Sequence, residues 1–340
     1  MHLPEYSEGR VASRMRVSRS KDGNEGNSAI SIPVPGKYVY ASACHEDEEE
    51  LHRMELMALL GCEPADGCTV SGRNIDPGRS PFIRAKLTVA AEGPDIEAVA
   101  EYAGGLELGG STFKVVFMET DNGITYEMRR EAERQIGWRI RGKAEMRSPD
   151  RLYGVACVQG RWLFGEYEKS GAQWLKHNWK PQPYSTALGT RVARAVVNIA
   201  VPVISGTRLI DPCCGIGTVV IEALSMGVDV TGFDNNPLAV RGARVNLAHF
   251  GMPDVVRLAD MRSLEGCYDA AIVDLPYNLC SVISAGERLE MLESARRLAG
   301  RIVIVTTGNI DGSLARAGLV IEGRCVVRKG RFERQIILSG

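Results

Sequence analysis

The 340-residue chain is predicted to be an α/β protein whose C-terminal half is a doubly wound, largely parallel, Rossmann-like sheet preceded by small α+β units. Three observations carry this reading. From Arg208 onward, strand-like and helix-like segments alternate strictly. A loop with two glycines, Asp211 to Thr218, separates the first of those strands from its helix. Before residue 170, strands and helices come in short pieces, strand–helix–strand–helix in fewer than 70 residues.

Residues 1–35 are rich in Ser, Gly, Asn, Arg and Lys without periodicity and read as a flexible tail. Order is expected from the β-prone run Lys37 to Tyr40. An acidic first turn, Glu46 to Glu50, leads into a helix carrying Leu51, Met54, Leu56, Leu59 and Leu60 and stopped by Gly61. A strand over Phe82 to Ala91 and a helix over Pro94 to Tyr102 complete a unit of ferredoxin-like type, residues 36–110. A second small unit, residues 111–170, reads as a strand from Phe113 to Met118 and a helix from Thr125 to Ile136 with Gly137 just past its end. A strand pair, Leu152–Val158 and Trp162–Tyr167, then turns at Gln159-Gly160-Arg161. Residues 171–185 form a linker, and an amphipathic helix over Thr186–Ala200 opens the last domain, 186–340.

There the strands Arg208–Asp211, Val228–Asp234, Val255–Leu258, Ala270–Val273 and Arg301–Thr306 alternate with the helices Thr218–Met226, Pro237–Phe250 and Glu287–Leu298. Asn236 is the expected cap before Pro237. A short helix, Ser313–Ala317, leads to a terminal hairpin, Val320–Val327 and Phe332–Leu338, turning at Lys329-Gly330.

Composition excludes several classes. No run of 18 apolar residues exists to span a bilayer, and no apolar segment follows the charged N-terminus as in a secretory signal. Nine scattered cysteines without a C-x-x-C pair argue against a disulfide framework and against a structural zinc, and no metal is expected; a reducing cytoplasm is the natural setting. The net charge of −1 is unevenly distributed: residues 36–128 hold 7 Lys/Arg against 17 Asp/Glu, whereas residues 129–180 hold 12 against 6 and all four tryptophans. Phosphate contact with base stacking needs such a stretch. Buried tryptophans under a solvated charged face would produce the same composition.

The candidate chemistry begins at Asp211-Pro212-Cys213-Cys214-Gly215-Ile216-Gly217-Thr218, at the strand-end edge where open α/β sheets bind ligands. Val220 stands where a dinucleotide fingerprint wants a third glycine, and no Gly-Lys-Ser/Thr follows. Asp234 ends the next strand 17 residues after Gly217, where a carboxylate accepts ribose hydroxyls; Asp260 closes the third strand where an adenine amino group would lie. Such acids suit an adenosine ligand and repel a diphosphate. Asp274-Leu275-Pro276-Tyr277 then follows the apolar strand Ala271-Ile272-Val273. An exocyclic base amine is a poor nucleophile because its lone pair is delocalised into the ring. The Asp274 carboxylate and Leu275 carbonyl are two acceptors for its N–H donors, Pro276 stiffens the loop, and Tyr277 offers a ring face to a flipped-out base.

These motifs together resemble the amino-methyltransferases whose loop reads (Asp/Asn/Ser)-Pro-Pro-(Tyr/Phe). The segment from Pro183-Tyr184-Ser185-Thr186-Ala187-Leu188 through Asn278 resembles the THUMP-containing tRNA guanosine-N2 methyltransferases that modify position ten. Arg147-Ser148-Pro149-Asp150 is similar to the Pro-Asp turn of THUMP domains. The resemblance implies a ferredoxin-like domain, a THUMP domain over 111–170 and a class I methyltransferase domain using S-adenosyl-L-methionine. It implies that Asp211, Gly215, Gly217 and Thr218 contact the methionine part of the cofactor, Asp234 with its neighbour Asn235 the ribose, and Asp260 with Met261 the adenine. Asp274, Leu275, Pro276 and Tyr277 handle the target base. Leu275 replaces the usual first proline, keeping the carbonyl but loosening the loop. The expected partner is tRNA, held along residues 129–180 by a monomeric, non-membrane enzyme. Methylation of ribosomal RNA guanine or of nucleic-acid adenine N6, and a non-catalytic RNA-binding module, stand as alternatives.

Overall fold

The computed structural model describes residues 36–65, 67–120, 123–183, 187–276, 283–330 and 332–340. The N-terminal tail, Tyr184 to Thr186, Tyr277 and Asn278 lie outside the described residues, so the expectations placed on them are not addressed.

Six strands form the first sheet: β1 (Tyr38–Ser42), β2 (Cys68–Ser71), β3 (Ile83–Gly93), β4 (Phe113–Phe117), β5 (Arg151–Val158) and β6 (Arg161–Lys169), in the order β2-β1-β3-β6-β5-β4. Three helices belong to it: α1 (Glu49–Leu60), α2 (Ile96–Gly104) and α3 (Tyr126–Arg139). The two small units read from the sequence therefore share one sheet. The eleven-residue β3 pairs with β1 along one edge and with β6 along the other, because an open edge of a long strand seeks a partner. The join is tight: a Cβ built on Gly165 of β6 would lie 1.8 Å from the carbonyl oxygen of Thr88, opposite the bulge between Val89 and Ala91. Glycine is required there.

Two local expectations are corrected. Gly137 does not end α3, which continues to Arg139. Ile136 and Ile140 are both buried on the same face, and their packing outweighs the roughly 1 kcal/mol by which glycine weakens a helix. The helix expected from Thr186 is α4 (Thr190–Ala200), capped by Gly189 in extended backbone. The hairpin between β5 and β6 turns through Gln159 and Gly160, with φ of 50° and 75°, the left-handed pair of a tight hairpin.

The second sheet contains β7 (Arg208–Asp211), β8 (Asp229–Asp234), β9 (Val256–Leu258), β10 (Tyr268–Asp274), β11 (Ala299–Thr306), β12 (Ile321–Lys329) and β13 (Phe332–Ser339) in the order β12-β13-β11-β10-β7-β8-β9. β7 to β11 are parallel; β13 and β12 add antiparallel at one edge. Side-chain alternation sorts the core into two layers. Leu209, Ile272 and Val303 pack toward α4, α5 (Thr218–Ser225) and α6 (Pro237–His249). Ile210, Val273 and Ile304 pack toward α7 (Ala285–Leu298) and α8 (Asp311–Ala317). Each such aliphatic side chain contributes about 1.5–3 kcal/mol on burial. The chain runs outward from β7 through β8 to β9 and then returns to β10 on the other side of β7, so the strand order reverses between β7 and β10. Open α/β sheets form their ligand crevice at that reversal, beyond the C-terminal strand ends.

A buried polar bridge joins the two sheets. Glu55 of α1, fully buried, accepts from Ser80 Oγ at 2.6 Å and from Asn198 Nδ2 of α4 at 2.6 Å. Arg79 donates to Asn198 Oδ1 at 3.0 Å and to the Pro202 and Val201 carbonyls. Arg194 of α4 donates to the Arg79 and Gly78 carbonyls at 2.8 and 3.0 Å and to Glu222 of α5 at 2.8 Å. Unpaired, these buried charges would be strongly destabilising; here each is held by several partners. Burial pushes the Glu55 carboxyl up to about 7 and the Arg79 guanidinium down to about 10.

Candidate active site

The crevice at the strand reversal is a cavity of about 520 Å³, ample for a nucleoside-sized ligand. It is built from strand ends, because a parallel strand's last residue is the first whose side chain is free of the sheet. Asp211 ends β7, Asp234 ends β8 and Asp274 ends β10, and all three line the cavity. Gly215, Thr218, Asn235, Asp260, Met261, Leu275 and Pro276 line it too. Gly217 is not in the lining; it shapes the loop as the residue before α5, with φ of +82°. Gly215 has φ of +54° with open space where a Cβ would stand, so its backbone can lie directly against a ligand.

Two carboxylates are held by backbone and by an arginine. Asp234 Oδ2 accepts from the Gly215 amide at 2.8 Å and Oδ1 from the Asn236 amide at 2.9 Å. Asp260 does not close the third strand, which ends at Leu258 because the chain turns there; it caps the short turn Met261–Ser263. Its carboxylate takes the Arg262 guanidinium, with Nη2 to Oδ2 at 2.6 Å, and that ion pair holds it below the usual carboxylate range. Asp211 behaves differently: almost fully buried, its carboxyl is driven well above its ordinary value by burial and then by Asp274. Both causes favour the uncharged form of this carboxyl over the charged one. Burial also raises the neighbouring Cys213 and Cys214 thiols, which keeps them protonated and unreactive. Cys213 Sγ rests 3.6 Å from Met261 Sδ.

Leu275, in the place of the usual first proline, is anchored at the end of β10. Its side chain is buried and its amide donates to the Val305 carbonyl at 3.0 Å, a bond proline cannot make. The Thr218 hydroxyl is buried at the crevice wall and bonded to no described residue; a buried donor of this kind awaits a ligand acceptor. The cradle thus offers a turn of backbone, an unsatisfied hydroxyl, two anionic side chains and the sulfur-bearing wall of Met261. That set fits an adenosine carrying an amino-acid tail and a cationic sulfonium, and it disfavours phosphates. Among the described residues no group of three or more His, Cys, Asp or Glu side chains could hold a metal, and no helix is long and apolar enough to cross a membrane.

Sequence reasoning missed part of the wall. Gln182, Pro183 and Leu188 close one side, and Ile283, Glu287 and Met291 from the start of α7 close another. Glu287 forms a reciprocal capping box with Ser284, a spacing visible in the sequence. Of the four tryptophans, Trp174 is 4% exposed and Trp162 half-buried, whereas Trp138 and Trp179 are 83% and 81% exposed. The exposed pair leaves the stacking reading open at those two positions. Trp138 stands at a groove between α3 and the edge strand β4, beside Tyr126, Arg130, Arg134 and Met146.

Residues 177–311 match the family model described as UPF0020, RMKL-like, methyltransferase domain. Over 175 residues, 48% of this chain and 51% of the other, the sequence is 33% identical to a tRNA (guanine(10)-N2)-dimethyltransferase of Methanothermobacter thermautotrophicus. Over 196 residues, 54% of this chain and 35% of the other, it is 27% identical to the U6 snRNA (guanine-N(2))-methyltransferase THUMPD2 of Mus musculus. The chain thus spans about half the length of the first of these relatives, and less of the second. Among solved structures, that of TrmN from Thermus thermophilus aligns over 89% of this chain and 99% of its own with 20% identity and a TM-score of 0.45.

Proposed function

We propose that this protein transfers a methyl group from S-adenosyl-L-methionine to the exocyclic N2 of a guanosine in tRNA. The observation that carries the reading is the juxtaposition, at one strand reversal, of an adenosine-type cradle with Asp274, the last residue of β10, and Leu275 after it. The match of residues 177–311 to a methyltransferase domain supports the reaction class, and the guanine-N2 relatives support the target.

When bound, the cofactor supplies an electrophilic methyl group on a sulfonium. The protein's part is binding and alignment. Asp234 and Asn235 would hold the ribose, Asp260 and Met261 the adenine, and the 211–218 loop with Thr218 the amino-acid tail. Asp274 and the Leu275 carbonyl accept the two N–H bonds of the target amine, turning its nitrogen lone pair toward the crevice. Pro276 restricts the loop, and Tyr277 supplies the ring on which the extruded base stacks, worth about 1–3 kcal/mol, comparable to the few kcal/mol of flipping. The proton lost from the amine passes to Asp274 or to water. The exposed Trp138 with Arg130 and Arg134 of α3, and the exposed Trp179, would grip the tRNA.

The test is transfer of label from methyl-labelled donor into unmodified tRNA transcript by the full chain. Incorporation that needs Asp274 supports the proposal. Label entering duplex DNA or ribosomal RNA in place of tRNA would redirect it.

A further inference from the structure

The segment joining the two sheets was expected to be a linker; its hydrogen bonds make it a fixed wall. Asn246 of α6 is fully buried. Its Oδ1 accepts the Gln182 amide at 2.9 Å, and its Nδ2 donates to the Gln182 carbonyl at 3.1 Å and to the Ile216 carbonyl at 3.1 Å. One side-chain amide therefore holds both backbone polar groups of Gln182 and ties them to the cofactor loop. Four residues earlier on α6, Gly242 presents no side chain; a Cβ there would meet Ile216 Cγ2 at 3.4 Å and Gln182 Cβ at 3.7 Å. Positions i and i+4 share a helix face, so Gly242 and Asn246 form one platform on which linker and loop meet.

The same segment is pinned again upstream. His177 Nδ1 and Glu222 Oε1 lie 2.6 Å apart, both buried, and Glu222 stands one turn after Thr218 on α5. Lys180 Nζ reaches back to the His177 carbonyl at 2.7 Å and across to Thr190 Oγ1 of α4 at 3.2 Å. Gln182, so held, lines the crevice together with its neighbour Pro183.

We infer that Asn246 is a positioning residue that locks residues 177–183 onto the 214–217 loop, making that strap a wall of the donor site. Asn246 does not line the crevice. It acts by fixing where Gln182 and Ile216 stand, so that the crevice is formed before the donor arrives. The inference rests on the crevice being a donor site, and the experiment separates the two.

Hydrogen exchange of the full wild-type chain is measured with and without S-adenosylhomocysteine, and the nucleoside's affinity is measured by calorimetry. The expected result is slow exchange of the Gln182 amide in the free chain, with peptides spanning 177–183 and 214–217 slowing together on binding. Asn246→Leu, similar in volume but without hydrogen bonds, should weaken S-adenosylhomocysteine binding and raise the KM for S-adenosylmethionine by about tenfold, the scale of one or two buried hydrogen bonds. Its kcat at saturating donor should stay within about threefold, because the target side is untouched. Asn246→Asp, which keeps the acceptor for the Gln182 amide, should retain slow exchange at that amide. Free exchange of Gln182 in the wild type, or binding in Asn246→Leu within twofold of wild type, overturns the inference; the exchange result decides even where the variants do not fold. Absence of binding in the wild type would instead overturn the donor-site reading, leaving the strap's own protection as the test of its lock.

Discussion

Asp234 Oδ2 accepts the Gly215 amide at 2.8 Å, so the carboxylate that ends β8 is bonded to the glycine loop that follows β7. With its other oxygen on the Asn236 amide, Asp234 is oriented by backbone alone. A carboxylate fixed in this way keeps lone pairs for ribose hydroxyls without having to rearrange. Asp234→Ala should therefore weaken S-adenosylhomocysteine binding by about 1.5–3 kcal/mol, the range for hydrogen bonds to a charged group. Calorimetry checks this; unchanged affinity would remove Asp234 from the cofactor site.

In the proposed reaction Asp274 serves the target amine and not the donor. Asp274→Asn, which trades one acceptor for a donor, should slow methyl transfer by roughly 10²–10³, as removal of a preorganised electrostatic partner does. S-adenosylhomocysteine affinity should change little. Single-turnover rates on tRNA beside a binding isotherm separate the two effects, and full turnover in the variant contradicts the mechanism.

The Glu55 carboxyl, pushed up to about 7 by burial, makes the joint between the sheets pH-dependent. The folded state holds this proton more tightly than the unfolded chain does. Its stabilising effect is thus complete below the ordinary carboxylate pKa of about 4.3 and fades as pH rises through about 7. Glu55→Gln cannot titrate, and it should flatten the fall in stability across that window by on the order of 1–3 kcal/mol. Urea unfolding at pH 5 and pH 8 measures it; parallel pH profiles for the two proteins would show that Glu55 is not the group responsible.

The groove of α3 and β4 should bind RNA through stacking and phosphate contact. Arg130 and Arg134 are paired with Glu133 and Glu131 on their own helix; both guanidinium groups are exposed, and pairs at the surface are worth at most about 1 kcal/mol. Trp138→Ala should weaken tRNA binding by about 1–3 kcal/mol. Replacing Arg130 and Arg134 together should lower the salt dependence of binding by about one unit of slope for each phosphate that is no longer neutralised. Filter binding at several salt concentrations reads both, and no change in either would move the RNA-binding face elsewhere.

The alternation of strands and helices after Arg208 was legible because each element is long enough to show its period. β7 to β13 and α5 to α8 fall close to where the sequence places them. The positions of Asp211, Asp234 and Asp274 at strand ends were legible for the same reason, since the last residue of a buried strand stands out against its apolar run. What the sequence hid depends on distant partners. β2 is four residues long and shows no alternation of its own. The union of the two small units rests on β3 pairing with β6 across some 75 residues of chain. Asn246 reads as one more polar residue on an amphipathic helix, and only the arrival of Gln182 and Ile216 gives its buried amide a purpose. The bond from the Leu275 amide to Val305 was hidden for the same reason, since it belongs to a neighbouring strand.

The central claim is that the amine held by Asp274 and the Leu275 carbonyl is N2 of guanine in tRNA. The most direct measurement is mass spectrometry of nucleosides from an unmodified tRNA transcript after incubation with S-adenosylmethionine and the full chain. The account predicts N2-methylguanosine or its dimethyl form, mapped to one position and absent with Asp274→Ala. N6-methyladenosine, or methylated guanosine that persists in the Asp274→Ala reaction, would contradict it.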